Sequence, residues 1–467
     1  MSLLLRSCFL LLPLVAGCSS YDIDGSIDSV NQMPGVISSG QATLVLDSKT
    51  KDKLDDRANF LLKSELGEND AVELMLSKSL DFQTLLLENW QQGSMLVQNG
   101  NVANPSFSYE RMVKGAETEY GSFLSFGLFE LLTLPNRRAA GKIDAERSRV
   151  NLASEVLGAV TEVRLAWLDA VAAQEKLLIA ERTFKAIEAG AELAKRMKQA
   201  GNFNTSQRIR QQLILSNSTI ALANAKQLSL SSRERLIRLL GIDQEQINFL
   251  KLPKNLPDLA NKPMSLSQFS NSIEARFDVQ IARLQYEATL KRSGIETVST
   301  YTDVEYGQRY DRINDDGAIS KKKGYELEVK LPLFDWGHIK REALKAELLS
   351  KQKVYQSVLL KAASELRQQY IEYRTLYDIA LHHQNQVIPM KEALMEEANY
   401  EYNGMIIGVF ELLQVGREMS AAESSSVDAK QNALAAEITL RSTALGRTSK
   451  SNSIKPGVST ASTEGGH

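Results

Sequence analysis

The chain has 467 residues, with 55 Lys+Arg against 57 Asp+Glu, so it lacks the basic surplus that marks most nucleic-acid binders. An apolar fraction of 43% with 24% charged residues excludes wholesale disorder, and two Cys exclude a disulfide scaffold or a Cys-ligated zinc site. A mean hydropathy of −0.24 argues against a polytopic helical membrane protein, but not against transmembrane strands, which are only half apolar.

Residues 1–17 carry one Arg, an apolar stretch and small residues, the layout of a secretory signal. Val15-Ala16-Gly17-Cys18 resembles the lipobox of bacterial lipoproteins, in which the Cys becomes the lipidated N-terminus. Ser19 stands where that family uses Asp for inner-membrane retention, so the resemblance implies an outer-membrane address. Removal of Cys8 and modification of Cys18 would leave no free thiol, which suits an oxidising compartment. Residues 18–100 read as an N-terminal segment with the first helices. No later apolar run reaches the ~20 residues of a spanning helix, so any crossing needs strands.

Residues 101–252 read as a first repeat. Phe107 and Tyr109 alternate with Ser106, Ser108 and Glu110; Leu124, Phe126 and Leu128 alternate with Ser125 and Gly127. These are two strands with one apolar, aromatic face. A long helix follows, with Val156, Val160, Val163, Trp167 and Ala170 at the spacing of a coiled-coil seam. Gly201 to Ser206 is a turn signal, and a second helix is expected to stop at Gly241.

Residues 253–294 read as a Pro-rich linker and a helix, and 295–447 as a second repeat. Three places match at one offset of 203 residues: Arg137–Ala140 with Lys340–Ala343, Glu162–Asp169 with Glu365–Glu372, and Gly201 with Gly404. Strands are expected over Val298–Arg309 and around Tyr325–Leu331, with polar Asp311–Lys323 as the loop between them. Pro389 is expected to kink the long helix of this repeat. The tail 448–467, rich in Ser, Thr and Gly, reads as disordered. His382-His383 carries no metal reading, because neighbours on a helix point about 100° apart. No metal or cofactor is expected.

A strand hairpin feeding a long helical hairpin, made twice behind a lipoprotein signal, resembles the TolC-type outer membrane factor family. Leu331–Gly337 resembles its strand-to-helix transition, Arg276–Val279 the motif opening its second repeat, and Gly201–Gln211 and Tyr400–Arg417 its helix-hairpin turns. The resemblance implies a mainly α fold with a small β part. Three protomers would build a 12-stranded β-barrel continued by a periplasmic α-barrel, a passive exit duct in the outer membrane. The implied partners are two more copies of the chain, a periplasmic adaptor protein, an inner-membrane pump and outer-membrane lipid.

The resemblance places adaptor contacts on Gly201, Asn202, Phe203 and Asn204 and on Gly404, Met405, Ile406, Ile407 and Gly408. Glycine would supply positive φ there, and exposed Phe203, Met405, Ile406 and Ile407 fit a partner surface better than a bare turn. Where relatives place acidic residues past the tip, this chain has Arg208 and Glu411. They lie 203 residues apart, so an alternating ring that helps close the tip is expected. An enzyme is not expected, since no G-x-S-x-G, G-x-G-x-x-G, H-E-x-x-H or Walker sequence occurs. Two other readings stand beside the efflux duct: the duct of a type I protein secretion system, and a non-channel periplasmic coiled-coil adaptor lipoprotein.

Overall fold

The computed structural model describes residues 21–447 apart from 99, 102–103, 116, 271–272, 300–303, 316–317, 330–333 and 335. The signal segment, Cys18 and the tail from 448 lie outside the described residues. The chain divides into two units. The first comprises Met1–Val156, Ile237–Lys251 and Ser270–Ser364, the second Leu157–Leu236, Leu252–Phe269 and Glu365–His467.

The first unit begins with four helices: α1 (Ile23–Asn31), α2 (Ser48–Leu61), α3 (Glu68–Lys78) and α4 (Leu80–Gln98). Asp22 and Asp47 start the first two by accepting from the backbone N–H groups of Gly25 and Thr50. Their core is Leu66, Leu74, Leu76, Phe82 and Leu86, all essentially buried. Tyr21 lies across α4, its hydroxyl donating to Asn89 at 3.0 Å. Gly93 makes room for the ring, since a Cβ there would stand 2.5 Å from it.

Two hairpins form one antiparallel sheet in the order β1-β2-β3-β4: β1 Ser106–Lys114, β2 Glu117–Gly127, β3 Val304–Asp315 and β4 Ala318–Val329. The alternation read in Phe107, Tyr109, Leu124, Phe126, Tyr325, Leu327 and Val329 is real, and all of them share one face through the register. The bounds differ from expectation. Val298 belongs to helix α7 (Phe277–Ser299), which runs past the expected boundary at 294, and Leu128 begins a helix. Asp311–Lys323 is mostly strand rather than loop: Asp311–Asp315 and Ala318–Lys323 pair with each other. Their polar side chains are shared between the polar face and the hairpin end of the aromatic face, so polarity there marks a position in the sheet and not a loop. Thr300, Thr302 and most of Leu331–Gly337 lie outside the described residues.

Arg276, wholly buried, opens α7 by donating to the Ala362 carbonyl at 3.0 Å and to both Asp278 oxygens. Burying a guanidinium is costly unless its donors are satisfied, and here carboxylate and carbonyl satisfy them.

Helix α5 (Leu128–Gln199) passes from the first unit into the second, where α6 (Thr205–Leu240) returns. The seam holds: Val156, Val160, Val163, Trp167 and Ala170 are all buried. The second hairpin is α8 (His338–His382), a π turn (His383–Val387), α9 (Ile388–Asn403) and α10 (Val409–Ala444). Leu366, Tyr373, Tyr377, Ala436 and Leu440 form a cluster on which Leu259, Met264 and Phe269 pack. Tyr377 donates to the Ala260 carbonyl at 2.7 Å and Lys430 to Asp258 at 2.9 Å, tying the Pro-rich linker to α8 and α10.

The π turn stands where Pro389 led the sequence to expect a kink. Proline lacks an N–H and its ring crowds the carbonyl four residues back, here that of Asn385. A widened turn relieves the clash. It also accommodates one extra residue, which bears on the hairpin tips.

Candidate functional site

The helices end at the tips with the same hydrogen-bond pattern. In the first hairpin, Asn202 N–H donates to Met197 O at 2.9 Å and Gly201 N–H to Lys198 O at 3.2 Å; in the second, Ile406 N–H donates to Glu401 O at 2.9 Å and Met405 N–H to Tyr402 O at 3.0 Å. This pattern puts a left-handed residue just past the helix. That residue is Gly201 in the first hairpin (φ 82°) and Met405 in the second (φ 60°). Gly404 and Gly408 have ordinary negative φ, contrary to the expectation for them. Structural equivalence at the tips is therefore 204 residues, not 203. Farther up the helices the 203 offset holds, as buried Val163 and Ala170 answer to buried Leu366 and Tyr373. The π turn lies between the two regimes and takes up the extra residue.

This changes the pairing of positions. Asn204 caps α6, accepting from Gln207 N–H at 2.8 Å while Gln207 Oε1 accepts from Asn204 N–H at 3.0 Å. Gly408 takes the same place before α10 with no side chain to cap. The counterpart of Gln207 is Glu411, and that of Arg208 is Leu412. Arg208 and Glu411 are not equivalent, so an evenly alternating ring does not follow. Among the described residues neither forms an ion pair within the chain.

Met405 and Ile406 are 92% and 76% exposed. Phe203 and Ile407 are only half exposed, against expectation: Phe203 stacks on Phe410 with ring centroids 5.0 Å apart, which joins the two tips. Asn202, Asn204, Gly201, Gly404 and Gly408 are exposed. Behind the tip, Lys391 Nζ donates to Glu418 at 3.0 Å and Gln414 Nε2 to the other oxygen at 3.0 Å. These hydrogen bonds, with Lys391 and Arg417 nearby, hold the Glu418 carboxyl below the usual range. No cluster of three or more metal-ligating residues occurs among the described residues.

The sheet has a second distinctive geometry. Its aromatic face is the exposed one: Phe107, Tyr109 and Tyr325 are 67%, 64% and 80% exposed. On the inner strands β2 and β3 its polar face is the more sheltered one, with Asp311, Ser125 and Ile313 each at 8%, while β1 and β4 are exposed on both faces. On that side Arg309 pairs with Asp311 at 3.1 Å, and Glu110, Glu119, Glu326 and Glu328 share the face. A sheet in water does the reverse. Strands β1 and β4 are both open edges. No helix is long and apolar enough to cross a membrane among the described residues.

No protein-family model matches the chain, and no curated protein does either. Solved structures do. The Campylobacter jejuni CmeC outer membrane channel is 13% identical, with a TM-score of 0.66 over 91% of this chain and 92% of that one. The Vibrio cholerae outer membrane protein VceC is 13% identical, with a TM-score of 0.65 over 84% and 99%. The open state of the Neisseria gonorrhoeae MtrE outer membrane channel is 17% identical, with a TM-score of 0.62 over 81% and 88%. The fold is that of the TolC-type outer membrane channels. This chain carries one strand hairpin followed by one helical hairpin twice. Sequence reasoning missed the one-residue slip between its two copies. Gly201 against Gly404 was the misleading signal, and Asn204-x-x-Gln207 against Gly408-x-x-Glu411 would have exposed it.

Proposed function

We propose that the chain is one of three identical subunits of an outer membrane exit duct, lipidated at Cys18, that serves a tripartite efflux system for small molecules. The observation that carries this reading is the inverted pattern of the inner strands, where the aromatic side is open and the polar side sheltered. Four strands with two open edges cannot close, because transmembrane barrels start at eight strands. Three copies supply twelve. The aromatic faces then meet lipid and the acidic faces line water. Phe334 and Trp336, 101% and 64% exposed beside the start of α8, fit the interfacial position that aromatic rings favour.

The tips are the surface for a periplasmic adaptor, through which an inner-membrane pump would deliver cargo. Exposed Met405 and Ile406 offer that partner apolar area, on a backbone whose left-handed turn holds them outward. The duct has no catalytic part. A single-hairpin adaptor lipoprotein is disfavoured by two return helices of 36 residues each, one behind each strand pair.

Planar-bilayer recording with the full-length lipoprotein tests the reading, together with its mass in mild detergent. Discrete conductance and a three-chain mass are expected; a monomer without conductance would overturn it. Arg208→Ala and Glu411→Ala are expected to raise the resting leak if the unpaired charges bind across neighbouring hairpins. A single exposed pair contributes only about 0–1 kcal/mol, so the effect is a bias and not a release.

A further inference from the structure

The aromatic face of the sheet is not uniform. Its side chains fall in rows across the strands, and rows on one face are about 6.7 Å apart along the strand. From the helix end, Val304 and Val329 form one row, then Phe126, Tyr306 and Leu327, then Phe107, Leu124, Gln308 and Tyr325. The next row is Tyr109, Ser122, Tyr310 and Lys323, and the one after it Arg111, Tyr120, Arg312 and Lys321. Every charged residue on this face is therefore basic, and all four stand in two adjacent rows near the hairpin end, beyond which comes the row of Val113, Thr118, Asn314 and Ile319. Among the described residues the face holds no Asp or Glu.

Two features of these rows ask for an anion. Arg312 and Lys321 are direct cross-strand partners, a like-charge pairing that destabilises a sheet on its own. Among the described residues, none of Arg111, Arg312, Lys321 and Lys323 has an ion-pair partner within the chain, whereas Arg309 on the opposite face has Asp311 and Glu110. The ring faces present are already engaged: Arg111 lies over Tyr120 at 5.8 Å and Lys323 over Tyr310 at 6.0 Å. Those contacts hold the cations against the sheet beside the aromatic band.

We propose that Arg111, Arg312, Lys321 and Lys323 form a binding site for a phosphate-bearing lipid of the outer leaflet, with the acyl chains on the aromatic rows below and the headgroup phosphates on the cations. The proposal rests on the membrane-barrel reading above. Charge, position and chain direction agree on it. The cations stand near the end of the sheet remote from the helices, one row short of it, which is the outward end of the barrel. Three apolar rows lie beneath, about 13 Å from first to last and about 20 Å from the first to the Lys323 row, against about 25 Å for the apolar band of a transmembrane barrel. Arginine presents paired N–H donors that match phosphate oxygens. A bisphosphorylated glycolipid such as lipid A can reach two cations at once.

Native mass spectrometry of the full-length protein in mild detergent, titrated with lipid A, tests this. Bisphosphorylated lipid A is expected to bind at least about tenfold more tightly than its dephosphorylated form, as expected for a charge-assisted phosphate contact. Arg312→Ser combined with Lys321→Ser is expected to remove that preference, while Arg312→Lys with Lys321→Arg keeps it. Equal binding of the two lipid forms to the unaltered protein, or an unchanged preference in the serine variant, would overturn the proposal. Displacement of the lipid by millimolar inorganic phosphate would also overturn it, because the site would then take the free anion. Bilayer conductance of the same samples separates the failures: conductance without lipid preference sinks this site alone, and absence of both sinks the barrel as well.

Discussion

Gly201 and Met405 hold the same left-handed position at the two hairpin tips, 204 residues apart in a chain whose helices otherwise repeat every 203. For glycine the position costs nothing. For an unbranched side chain it costs about 1 kcal/mol. The second tip thus carries strain that the first avoids, and the strained residue is the most exposed apolar side chain of its turn.

Met405→Gly should therefore stabilise the protein by about 1 kcal/mol, and Gly201→Ala should destabilise it by a similar amount. Chemical denaturation of the two variants checks both signs at once. If Met405 serves adaptor docking, the stabilised glycine variant should also lose adaptor affinity, so stability and binding move in opposite directions.

The π turn has two candidate causes, Pro389 and the extra residue, and they are separable. Pro389→Ala should leave the π turn in place, because the additional residue still has to be housed. Deletion of exposed Gln384 should convert the segment to regular α-helix and leave the helix beyond it in place, because the π turn houses one residue more than the first hairpin has. The Lys391–Glu418 pair and the Phe203–Phe410 stack would then be kept. A crystal structure of each variant decides the matter, and loss of the π turn in Pro389→Ala would assign it to proline alone.

Gly241 ends α6 with φ 68°, and a Cβ there would lie 2.6 Å from Ser79 Cα and 2.8 Å from Lys78 O. Both neighbours are backbone and cannot rotate away. Gly241→Ala should cost about 2 kcal/mol or more, read as a lower denaturation midpoint. Gly201→Ala, with open space around its Cβ, should cost less.

Glu418 makes the tip sensitive to acid. Its carboxyl is held below the usual value, so the stabilisation it contributes is complete above about pH 4.3 and is lost as pH falls through the lowered folded value. The pair is partly exposed and solvent-screened, worth under about 1 kcal/mol. Amide protection in the first turns of α10, corrected for intrinsic exchange, should fall as the pH is lowered below the ordinary glutamate value of about 4.3. Glu418→Gln should flatten that dependence.

Much of the architecture was legible because periodicity is robust to divergence. The alternation of Tyr325, Leu327 and Val329 and the seam from Val156 to Ala170 both depend on spacing, and both stand in the structure. Strand limits were less legible. Val298 is β-branched, yet it continues α7, so local propensity does not mark where the helix ends. Asp311–Lys323 looked like a loop because each polar residue was read alone; Asp316-Gly317, a strong two-residue hairpin signal in the sequence, stands between the two paired segments. The tip register was hidden for a different reason. A repeated glycine is a poor ruler when an inserted residue is absorbed inside a helix, where composition hardly changes. Half-burial of Phe203 depends on Phe410, which is far away in the chain.

The π turn also has a consequence for assembly. In a ring of three chains, six hairpins would point at the partner, and because the π turn absorbs the extra residue their turns stay in phase while their residues differ. A partner with six equal arms would meet two kinds of socket in alternation, one opened by glycine and capped by Asn204, the other strained at Met405 and uncapped. Binding at one kind leaves the other free to differ in affinity, so occupancy in threes would be distinguishable from occupancy in sixes.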